Sequence, residues 1–373
     1  MKMPIRILQI TGGMNMGGIE NFIMNIYRNI DRDRVQFDFL IHQEEKQIFE
    51  DEIEKLGGKI YRIPSIRKSG YFKYKKNLKE FFQNHPYKIV HSHYNELSGI
   101  ILKVAKNCDI KVRISHSHTA YPNYSSILVK FFGEYLIKLL KNSSNLKFAC
   151  SQKAGEWLYG KSSNFEVINN GIDPKEYKFN EEIRKKIRDE LKIEDEDKEI
   201  LIGHVGRFSN EKNHEFIIDI FKELYFKNNN YRLFLIGTGN TEEKIKNKVK
   251  KVNLQETVNF LGVRKDVNEI LQAMDLFVFP SLYEGLPVTL VEAQGAGLKC
   301  FISDTVTKEI DLECGLTEFI SLDKSSEEWA YIIDKNKEYI RKDTIESLKS
   351  HGYDMTENAK NLENRYIELY NKA

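Results

Sequence analysis

The sequence predicts an α/β protein made of two domains, each with a parallel sheet covered by helices. Short apolar runs alternate with longer amphipathic segments along the whole chain, which is the pattern of repeated strand–helix–strand units. The 373 residues suffice for two domains of ordinary size. Turn-forming residues at Asn169–Pro174 (NNGIDP) separate the two halves. We therefore expect two Rossmann-like domains, residues 1–172 and 173–354, facing each other across a cleft.

Each half contains a series of predicted strands. The runs in the first half are Arg6–Ile10, Val35–Leu40, Lys59–Arg62, Lys88–His91, Val112–Ser115, Leu146–Ala149 and Glu166–Ile168. Those in the second half are Ile200–Val205, Arg232–Ile236, Val258–Leu261, Leu276–Phe279 and Cys300–Ile302. Helical periodicity is clearest at Ile19–Asn29, Asn95–Asn107 and Glu357–Tyr370. In such sheets, ligands bind outside the carboxyl ends of the strands.

Composition excludes several classes of protein. Charge is balanced, with 57 Lys and Arg against 55 Asp and Glu, so nucleic acid is not indicated as the main ligand. The scattered Cys108, Cys150, Cys300 and Cys314 lack metal-ligand spacing and predict reduced thiols in a cytoplasmic protein. The sequence contains no run of 18 apolar residues, the length needed to span a membrane. The first apolar run is too short for a signal peptide.

The most informative segment follows the predicted strand at 276–279. Glu284 and Glu292 stand eight positions apart across a strand-to-helix junction. Pro287 suits the first position of the helix, because it lacks an N–H group that would be unpaired there. Gly285 allows a ligand to approach the backbone closely. The free N–H groups and the helix dipole favour an anion, such as a diphosphate, with a ribose near Glu292, about two turns into the helix.

The spacing of Glu284 and Glu292 within EGLPVTLVEA resembles the motif of retaining family 4 glycosyltransferases of the GT-B fold. The resemblance covers nearly the whole chain. The opening GGMNMGGIENFIMNIYRNID and the block EGLPVTLVEAQGAG look most like bacterial enzymes that build capsule or exopolysaccharide units. The resemblance implies a UDP-hexose donor, a saccharide or lipid-linked saccharide acceptor, no metal and no other cofactor. It also implies that the final helix, about 355–373, packs back on the first domain.

The second half carries the residues expected to bind the nucleotide sugar. Arg207 and Lys212 follow the strand Ile200–Val205, where both can turn toward a phosphate group and neutralise it. The resemblance assigns them to the leaving diphosphate and places backbone groups of Val263 and Arg264 against a uracil. It assigns the rest of the donor site to residues in the loop after the strand at 276–279 and at the start of the next helix. These are Glu284, Gly285, Leu286, Pro287, Val288 and Glu292.

The first half offers a glycine-rich loop at Thr11–Gly18. Its spacing is neither G-x-G-x-x-G nor a P-loop, so binding of a nicotinamide cofactor or ATP by those routes is unsupported. The resemblance places a similar loop, with Gly17 and Gly18, beside the donor phosphates and the acceptor.

Two histidines end the strand at 112–115. The resemblance assigns one histidine here to the donor sugar and the reaction centre, and either His118, which we favour, or His116 fits that position. His91 and His93 end a neighbouring strand, but no carboxylate or cysteine completes a metal site, so no metal is expected.

Two segments of the first half interleave basic and aromatic residues. Arg67–Lys76 carries five cations with Tyr71, Phe72 and Tyr74, and Tyr121–Lys141 adds apolar residues with further lysines. Such surfaces favour anionic lipid headgroups, with the aromatic rings at headgroup level. The alternative is a core-facing helix with a solvated basic side. We therefore consider a peripheral location on the inner face of the cell membrane.

These observations predict a retaining, metal-independent hexosyltransferase in which His118, Arg207, Lys212 and Glu284 carry the chemistry. Two alternatives remain: a UDP-sugar epimerase of the same fold, and a non-catalytic partner protein that kept the fold. The first would release no UDP in response to an acceptor. The second should have lost some of the charged residues of the donor site.

Overall fold

The computed structural model describes residues 3–15, 17–119, 126–193 and 198–373. The chain forms two compact units. Unit 1 comprises Met1–Gly171 with Met355–Ala373, and unit 2 comprises Ile172–Asp354. Each unit contains one parallel sheet with helices packed on it, so the predicted fold class is confirmed at the level of two Rossmann-like sheets.

Unit 1 has a seven-stranded sheet in the order β3-β2-β1-β4-β5-β6-β7. The order reverses between β1 and β4, which makes that pair the topological switch point where ligands bind in such sheets. Its strands are β1 (Ile5–Ile10), β2 (Val35–Ile41), β3 (Ile60–Arg62), β4 (Ile89–Ser92), β5 (Val112–Ser117), β6 (Leu146–Ala149) and β7 (Glu166–Val167). Its helices before the boundary are α1 (Gly18–Asn29), α2 (Glu50–Lys55), α3 (Ile66–Ser69), α4 (Tyr71–Asn84), α5 (Ser98–Asn107), α6 (Ile127–Lys141) and α7 (Gln152–Tyr159).

Unit 2 has a six-stranded sheet in the order β10-β9-β8-β11-β12-β13, with its switch point between β8 and β11. Its strands are β8 (Ile200–Val205), β9 (Tyr231–Ile236), β10 (Val258–Gly262), β11 (Leu276–Phe279), β12 (Lys299–Ser303) and β13 (Thr317–Ile320). Its helices are α8 (Pro174–Tyr177), α9 (Glu181–Glu190), α10 (His214–Lys227), α11 (Glu242–Lys251), α12 (Val267–Ala273), α13 (Val288–Gly295), α14 (Ser326–Lys335) and α15 (Ile345–Ser350).

The last helix, α16 (Met355–Lys372), belongs to unit 1. Met355, Ala359, Leu362 and Tyr366 are buried in the same core cluster as residues of α1, β1 and β2. This burial places a polar atom, the Tyr366 hydroxyl, beneath the sheet at β4. The helix therefore contributes to the chemistry of the first sheet as well as to its packing.

Four details differ from the sequence predictions. The strand β13 was not predicted, because its residues are mostly half-buried and show no continuous apolar run. The segment from Asn95 begins as a single 3₁₀ turn before α5. Pro287 is the N-cap residue of α13 and not its first helical residue. Glu292 is consequently the fifth residue of α13, little more than one turn into the helix.

Among the described residues, no helix is long and apolar enough to cross a membrane.

Candidate active site

Three glycine-containing loops meet at the carboxyl ends of β8, β9 and β10. The N–H of Gly206 donates to the carbonyl of Ile236 at 2.9 Å, and that of Gly237 donates to Gly262 at 2.8 Å. Gly237 has a φ of +134°, and a Cβ there would overlap the Gly206 carbonyl. Only glycine therefore permits this approach, which holds the loops in one arrangement.

Lys212 lies at the end of the 3₁₀ turn after β8, with its ammonium among the strand ends. Its Nζ is 2.7 Å from Oε1 of Glu284, and the two side chains are only 17% and 12% exposed. The same Nζ lies 4.8 Å from the ring centre of Phe279, at the end of β11. The basic loop and the acidic loop, 72 residues apart in sequence, are thus one charged cluster.

Backbone geometry fixes the position of Lys212. Asn213, next to it, is left-handed with a φ of +56°, and its Nδ2 donates to the carbonyl of Pro280 at 3.1 Å. The N–H of Leu282 donates to the carbonyl of Glu211 at 2.8 Å. These bonds tie the loop after β8 to the loop after β11. Asparagine tolerates the left-handed conformation better than other non-glycine residues.

Arg207 has a different environment from Lys212. Its side chain is exposed, and no side-chain hydrogen bond or ion pair is recorded for it within the described residues. A free guanidinium keeps all its donors for an incoming anion, and the fork geometry suits two phosphate oxygens. Lys212 offers a charge that is already positioned, whereas Arg207 offers one that can move.

Glu292 lies on the first turns of α13, where Oε1 accepts a hydrogen bond from the Tyr177 hydroxyl at 3.0 Å. Burial raises the pKa of Glu292, and the Tyr177 bond partly offsets this effect. Burial, followed by the neighbouring Glu292 carboxylate, raises the pKa of Tyr177. The carboxylate is therefore held by one hydroxyl, and its remaining lone pairs can accept others.

The start of α13 is open. A Cβ built on Gly285 would meet no atom within 4 Å. Leu286, Pro287 and Val288 complete the entry to the helix, with Val288 as its first residue. In the loop after β10, Val263 is 65% exposed. Arg264, beside it, is held by Asp266, with Nε 2.8 Å from Oδ1.

In unit 1, four histidines form a stack of rings at the ends of β4 and β5. The centres of the His116 and His118 rings are 4.1 Å apart, and those of His91 and His93 are 4.2 Å apart. Phe22 of α1 packs against this group, 5.1 Å from His116 and 5.4 Å from His118. Burial lowers the pKa of all four histidines, that of His118 to about 3, so they are neutral at pH 7.

Hydrogen bonds join these histidines to β1 and α16. Nδ1 of His93 is 2.8 Å from Nε2 of His118, and Nε2 of His93 is 2.9 Å from Oε1 of Gln9. Nδ1 of His91 is 2.6 Å from the Tyr366 hydroxyl, and Nε2 of His91 is 3.2 Å from Nδ1 of His116. The Gln9 amide nitrogen donates to the same Tyr366 hydroxyl at 3.3 Å.

Ligand atoms of His91, His93 and His116 lie within 4.8 Å of one another, which is near enough to consider a metal ion. Both nitrogens of His91 and both of His93 already have hydrogen-bond partners. A metal would have to replace those bonds at a fully buried position. The arrangement is accounted for by hydrogen bonding, and the absence of a metal site stays a prediction.

Comparison with known proteins identifies the family. Residues 183–335 match the family model described as glycosyl transferases group 1, and residues 16–176 match the model described as glycosyltransferase family 4. The chain is 34% identical to the protein EpsF of Bacillus subtilis over 377 aligned positions, covering 97% of this chain and 96% of that protein. The chain belongs to the family 4 glycosyltransferases.

Two further similarities concern biology and fold. The capsular polysaccharide biosynthesis glycosyltransferase CapH of Staphylococcus aureus is 26% identical over 296 residues, covering 78% of each chain. The crystal structure of HepE from Anabaena in complex with UDP-glucose superposes with a TM-score of 0.71 at 17% identity, covering 99% of this chain and 98% of that one. The likeness to HepE shows that the glycosyltransferase has the GT-B fold.

Within the glycosyltransferase, the structure brings together some of the predicted site residues. Lys212 contacts Glu284 directly, and both lie in unit 2 with Arg207 and Glu292. His118 lies in unit 1, as do Gly17 and Gly18 at the start of α1. Val263 and Arg264 follow β10, and no side-chain bond between them and the Lys212–Glu284 pair is recorded in the part of the chain that the structure describes.

The structure also separates the two candidate histidines of the glycosyltransferase. His116 is inside β5 with none of its surface exposed. His118 follows the strand and is partly exposed, and its backbone N–H donates to Oδ1 of Asn95 at 3.0 Å. Of the two, His118 has the position from which a ligand can be reached, so we keep it as the candidate.

Sequence reasoning did not single out three polar residues of this region. Glu20 lies in the first turn of α1, where burial raises the pKa of its carboxyl group. Gln9 and Tyr366 are buried polar residues that contact the histidines. A glutamine inside an otherwise apolar strand was the only available signal for Gln9. Tyr366 lies within the predicted helix Glu357–Tyr370, whose periodicity gives no sign of what the hydroxyl contacts.

Proposed function

We propose that this glycosyltransferase moves a hexose from a UDP-sugar to a saccharide or lipid-linked saccharide acceptor, with retention of configuration, in surface polysaccharide synthesis. The observation that carries the proposal is the Lys212–Glu284 pair beside the open backbone of Gly285 at the start of α13. The complex of HepE with UDP-glucose supports the donor class, and the name of CapH supports the biological role.

The diphosphate is the group that the unit 2 site suits best. Lys212 is held in place by its ion pair and backbone contacts, so its charge needs no reorganisation when negative charge grows on the leaving UDP. Arg207 adds a guanidinium free to form a bidentate contact. The backbone N–H groups of Gly285, Leu286 and Val288 and the positive end of the α13 dipole add to the stabilisation.

The carboxylates divide the remaining work. Glu292 accepts hydrogen bonds from the ribose hydroxyls, beside the bond that it already accepts from Tyr177. Glu284, in front of the helix, positions the transferred sugar, and its ion pair with Lys212 holds its carboxylate in place. His118 contacts the same sugar.

The proposed chemistry uses the leaving group as the base. The bond between the anomeric carbon and the UDP oxygen breaks on one face of the sugar. The acceptor hydroxyl attacks the same face and gives its proton to the departing phosphate. The protein contributes electrostatic stabilisation and orientation.

A donor panel tests this proposal. UDP should raise the melting temperature more than GDP or ADP, because a ligand that binds only the native state stabilises it by mass action. UDP release from one UDP-hexose should then require a saccharide acceptor and persist in EDTA. A preference for GDP, or complete loss with the chelator, would overturn the donor or metal assignment. UDP-sugar conversion without acceptor would favour the epimerase, and no turnover with any pair would favour the non-catalytic alternative.

We also propose that unit 1 docks on an anionic membrane, where a lipid-linked acceptor would lie. Six apolar side chains are exposed within the first nine residues of α6: Ile127, Leu128, Val129, Phe131, Phe132 and Tyr135. Phe72 of α4 is 86% exposed, and Tyr71 of the same helix approaches Tyr135 of α6, with 3.5 Å between hydroxyls. A groove of about 450 Å³ lies between these elements, lined mostly by apolar groups.

Basic residues surround this apolar face, which suits anionic headgroups. Arg67, Lys73 and Lys130 are exposed, and no ion pair is recorded for them within the described residues. The structure corrects part of the sequence prediction, however. Tyr74 is only 2% exposed and its hydroxyl lies 2.6 Å from Nε2 of His42, so it belongs to the core and cannot insert into a membrane. Residues 121–125 of the predicted segment lie outside the described residues.

A further inference from the structure

In the hydrogen-bond network around His118, the chemistry of Gln9 determines which atom donates and which accepts in each bond. The amide oxygen of Gln9 only accepts, so the His93 Nε2 that lies 2.9 Å from it must carry a proton. Because burial keeps His93 neutral, its Nδ1 is then an acceptor. Nε2 of His118, 2.8 Å from that Nδ1, must therefore be the donor.

The amide nitrogen of Gln9 fixes the protons of the other two histidines. The amide nitrogen donates to the Tyr366 hydroxyl, which in turn donates to Nδ1 of His91. His91 then carries its proton on Nε2 and donates to Nδ1 of His116. One amide orientation thus determines the tautomer of all four histidines.

The hydrogen-bond network ends at two histidine nitrogens that lack a partner among the described residues. Nδ1 of His118 and Nε2 of His116 are buried and have no hydrogen-bond partner among the described residues. Because His118 donates through Nε2, its Nδ1 carries a lone pair. Because His116 accepts through Nδ1, its Nε2 carries the proton. An unsatisfied acceptor on the one partly exposed histidine is a position where a ligand hydroxyl would be stabilised.

We propose that Gln9, oriented by Tyr366 and acting through His93, fixes the proton of His118 on Nε2 and presents its Nδ1 as an acceptor for one hydroxyl of the donor sugar. The substrate part of this proposal rests on the proposed function. The tautomer part does not. Gln9, Tyr366 and His93 are positioning residues, since they act through His118, and α16 thereby takes part in the site.

Nuclear magnetic resonance tests the tautomer directly. In protein labelled with ¹⁵N-histidine, two-bond ¹H–¹⁵N spectra distinguish a protonated from an unprotonated ring nitrogen. We expect His118 in the wild type to be protonated on Nε2 alone. A proton on Nδ1, or a mixture of the two forms, would overturn the proposal whatever the enzyme's substrate is.

Two variants test the positioning residues. Gln9→Met removes both amide bonds, and Tyr366→Phe removes the group that orients the amide, so His118 should become a tautomer mixture in each. Tyr159→Phe is the matched control. This residue is equally buried, and its hydroxyl lies 2.8 Å from the backbone carbonyls of both Ser115 and Phe148. Among the described residues it makes no hydrogen bond or ring contact with the four histidines. An unchanged His118 spectrum in both folded test variants would refute the role of Gln9.

Monodeoxyfluoro donors test the substrate contact, because fluorine cannot donate a hydrogen bond. Replacement of one particular hydroxyl should lower kcat/KM about tenfold in the wild type, the loss expected for one neutral hydrogen bond. The same replacement should cost much less in Gln9→Met. Equal losses in both proteins would overturn the hydroxyl contact while leaving the UDP-sugar assignment intact. Failure of every UDP-sugar as a donor would instead overturn the proposed function and leave the tautomer result standing.

Discussion

At the scale of single residues, Lys212 and Arg207 are two cations that differ in burial and in pairing. Lys212 is part-buried and paired with Glu284, whereas Arg207 is exposed. A charge that is already fixed stabilises a transition state without further ordering. It also has a structural cost when removed, because its partner carboxylate then loses its counter-charge in a site with little solvent.

We expect Lys212→Ala to lower turnover about 100- to 1,000-fold, the usual loss for one preorganised partner of developing charge. The free energy of unfolding should fall as well, because Glu284 is left without its cation. Steady-state kinetics and urea unfolding measure the two effects. Lys248→Ala is the control, since Lys248 is 23% exposed and its Nζ lies 2.6 Å from Oδ2 of Asp219 on the surface of α10. Comparable turnover losses in both variants would show that Lys212 has no special role.

Arg207→Ala should separate the two effects. The exposed guanidinium has no recorded side-chain partner in the described structure, so its removal should leave stability near the wild-type value. Turnover should still fall if the proposed function holds, because the diphosphate would lose a bidentate contact. Wild-type turnover in this variant would mean that Arg207 is only a solvated surface charge.

Glu284 and Glu292 should give different kinetic defects. Glu292→Ala should weaken UDP binding with little change in kcat, because a ribose contact is made equally in the ground and transition states. Glu284→Ala should mainly lower kcat, because this residue holds Lys212 and, in the proposed function, positions the transferred sugar. Tyr177→Phe tests whether the Glu292 carboxylate itself, and not its bond with Tyr177, is what UDP binding needs. The variant removes the hydroxyl bonded to Glu292 but keeps the carboxylate, so UDP affinity should stay near wild type. Identical defects in both glutamate variants would contradict this division.

At the scale of elements, helix α6 behaves differently along its length. Leu136 and Leu140 pack into the cores of unit 1, while the residues of the first two turns expose apolar side chains. A helix whose apolar face is only half covered has surface left for another apolar phase. The neighbouring helices α3 and α4 supply cations, of which Lys68 of α3 is paired with Glu44 and Lys76 of α4 with Glu80.

We expect reversible binding to anionic vesicles that weakens as salt rises. Changing Arg67, Lys73 and Lys130 to Ser should reduce binding by about 100-fold or more, since each cation near an anionic leaflet contributes about 1 kcal/mol. UDP affinity should not change. Co-sedimentation measures both salt dependence and the effect of the variant. The control exchanges three exposed lysines of unit 2, Lys185, Lys250 and Lys251, for Ser.

Two exposed phenylalanines, one on each unit, test the apolar contribution to vesicle binding. Phe131 of α6 and Phe226 of α10 are 63% and 66% exposed, respectively. Phe131→Ser should weaken vesicle binding and Phe226→Ser should not. If all these variants co-sediment as the wild type does, the face formed by α4 and α6 is not the membrane contact.

At the scale of the whole molecule, buried histidines link stability to pH. Burial lowers the pKa of His42, His204 and His214 as well as that of the four stacked histidines, with His214 at about 4. Their folded pKa values lie below the unfolded value, so the unfolded chain binds more protons below about pH 6.5. Stability is therefore fully present above that pH and is lost as pH falls toward the folded values.

The measurable form of this linkage is the slope of unfolding free energy against pH between 6.5 and 4. His214→Phe should reduce that slope by about 1.4 kcal/mol per pH unit, the contribution of one linked proton. The replacement suits the site, because the His214 ring stacks on Phe208 with centres 4.1 Å apart and neither of its nitrogens has a partner among the described residues. An unchanged slope would show that His214 does not take up a proton on unfolding.

The sequence by itself determined the fold class, most strand positions and the chemical types at the donor site. Of the thirteen strands that the described residues form, twelve were predicted, most of them because buried parallel strands are short continuous apolar runs. Several glycines, Arg207, Lys212, Glu284 and Glu292 could be named as candidates, because a diphosphate would need glycine, cations and hydroxyl acceptors at strand ends and because their spacing resembles the family motif. The missing strand, β13, is half-buried at a sheet edge and lacks that pattern.

Only the tertiary structure decided which of these groups contact one another. The pairing of Lys212 with Glu284 depends on two loops that meet because β8 and β11 are neighbours in the sheet. The burial of Tyr74 and the link from Tyr366 through Gln9 to His118 depend on the packing of helices against β1 and β4. Local sequence patterns record the periodicity of burial within one element. They carry no record of which polar atoms distant elements bring within hydrogen-bond distance, and that distance determines protonation and orientation.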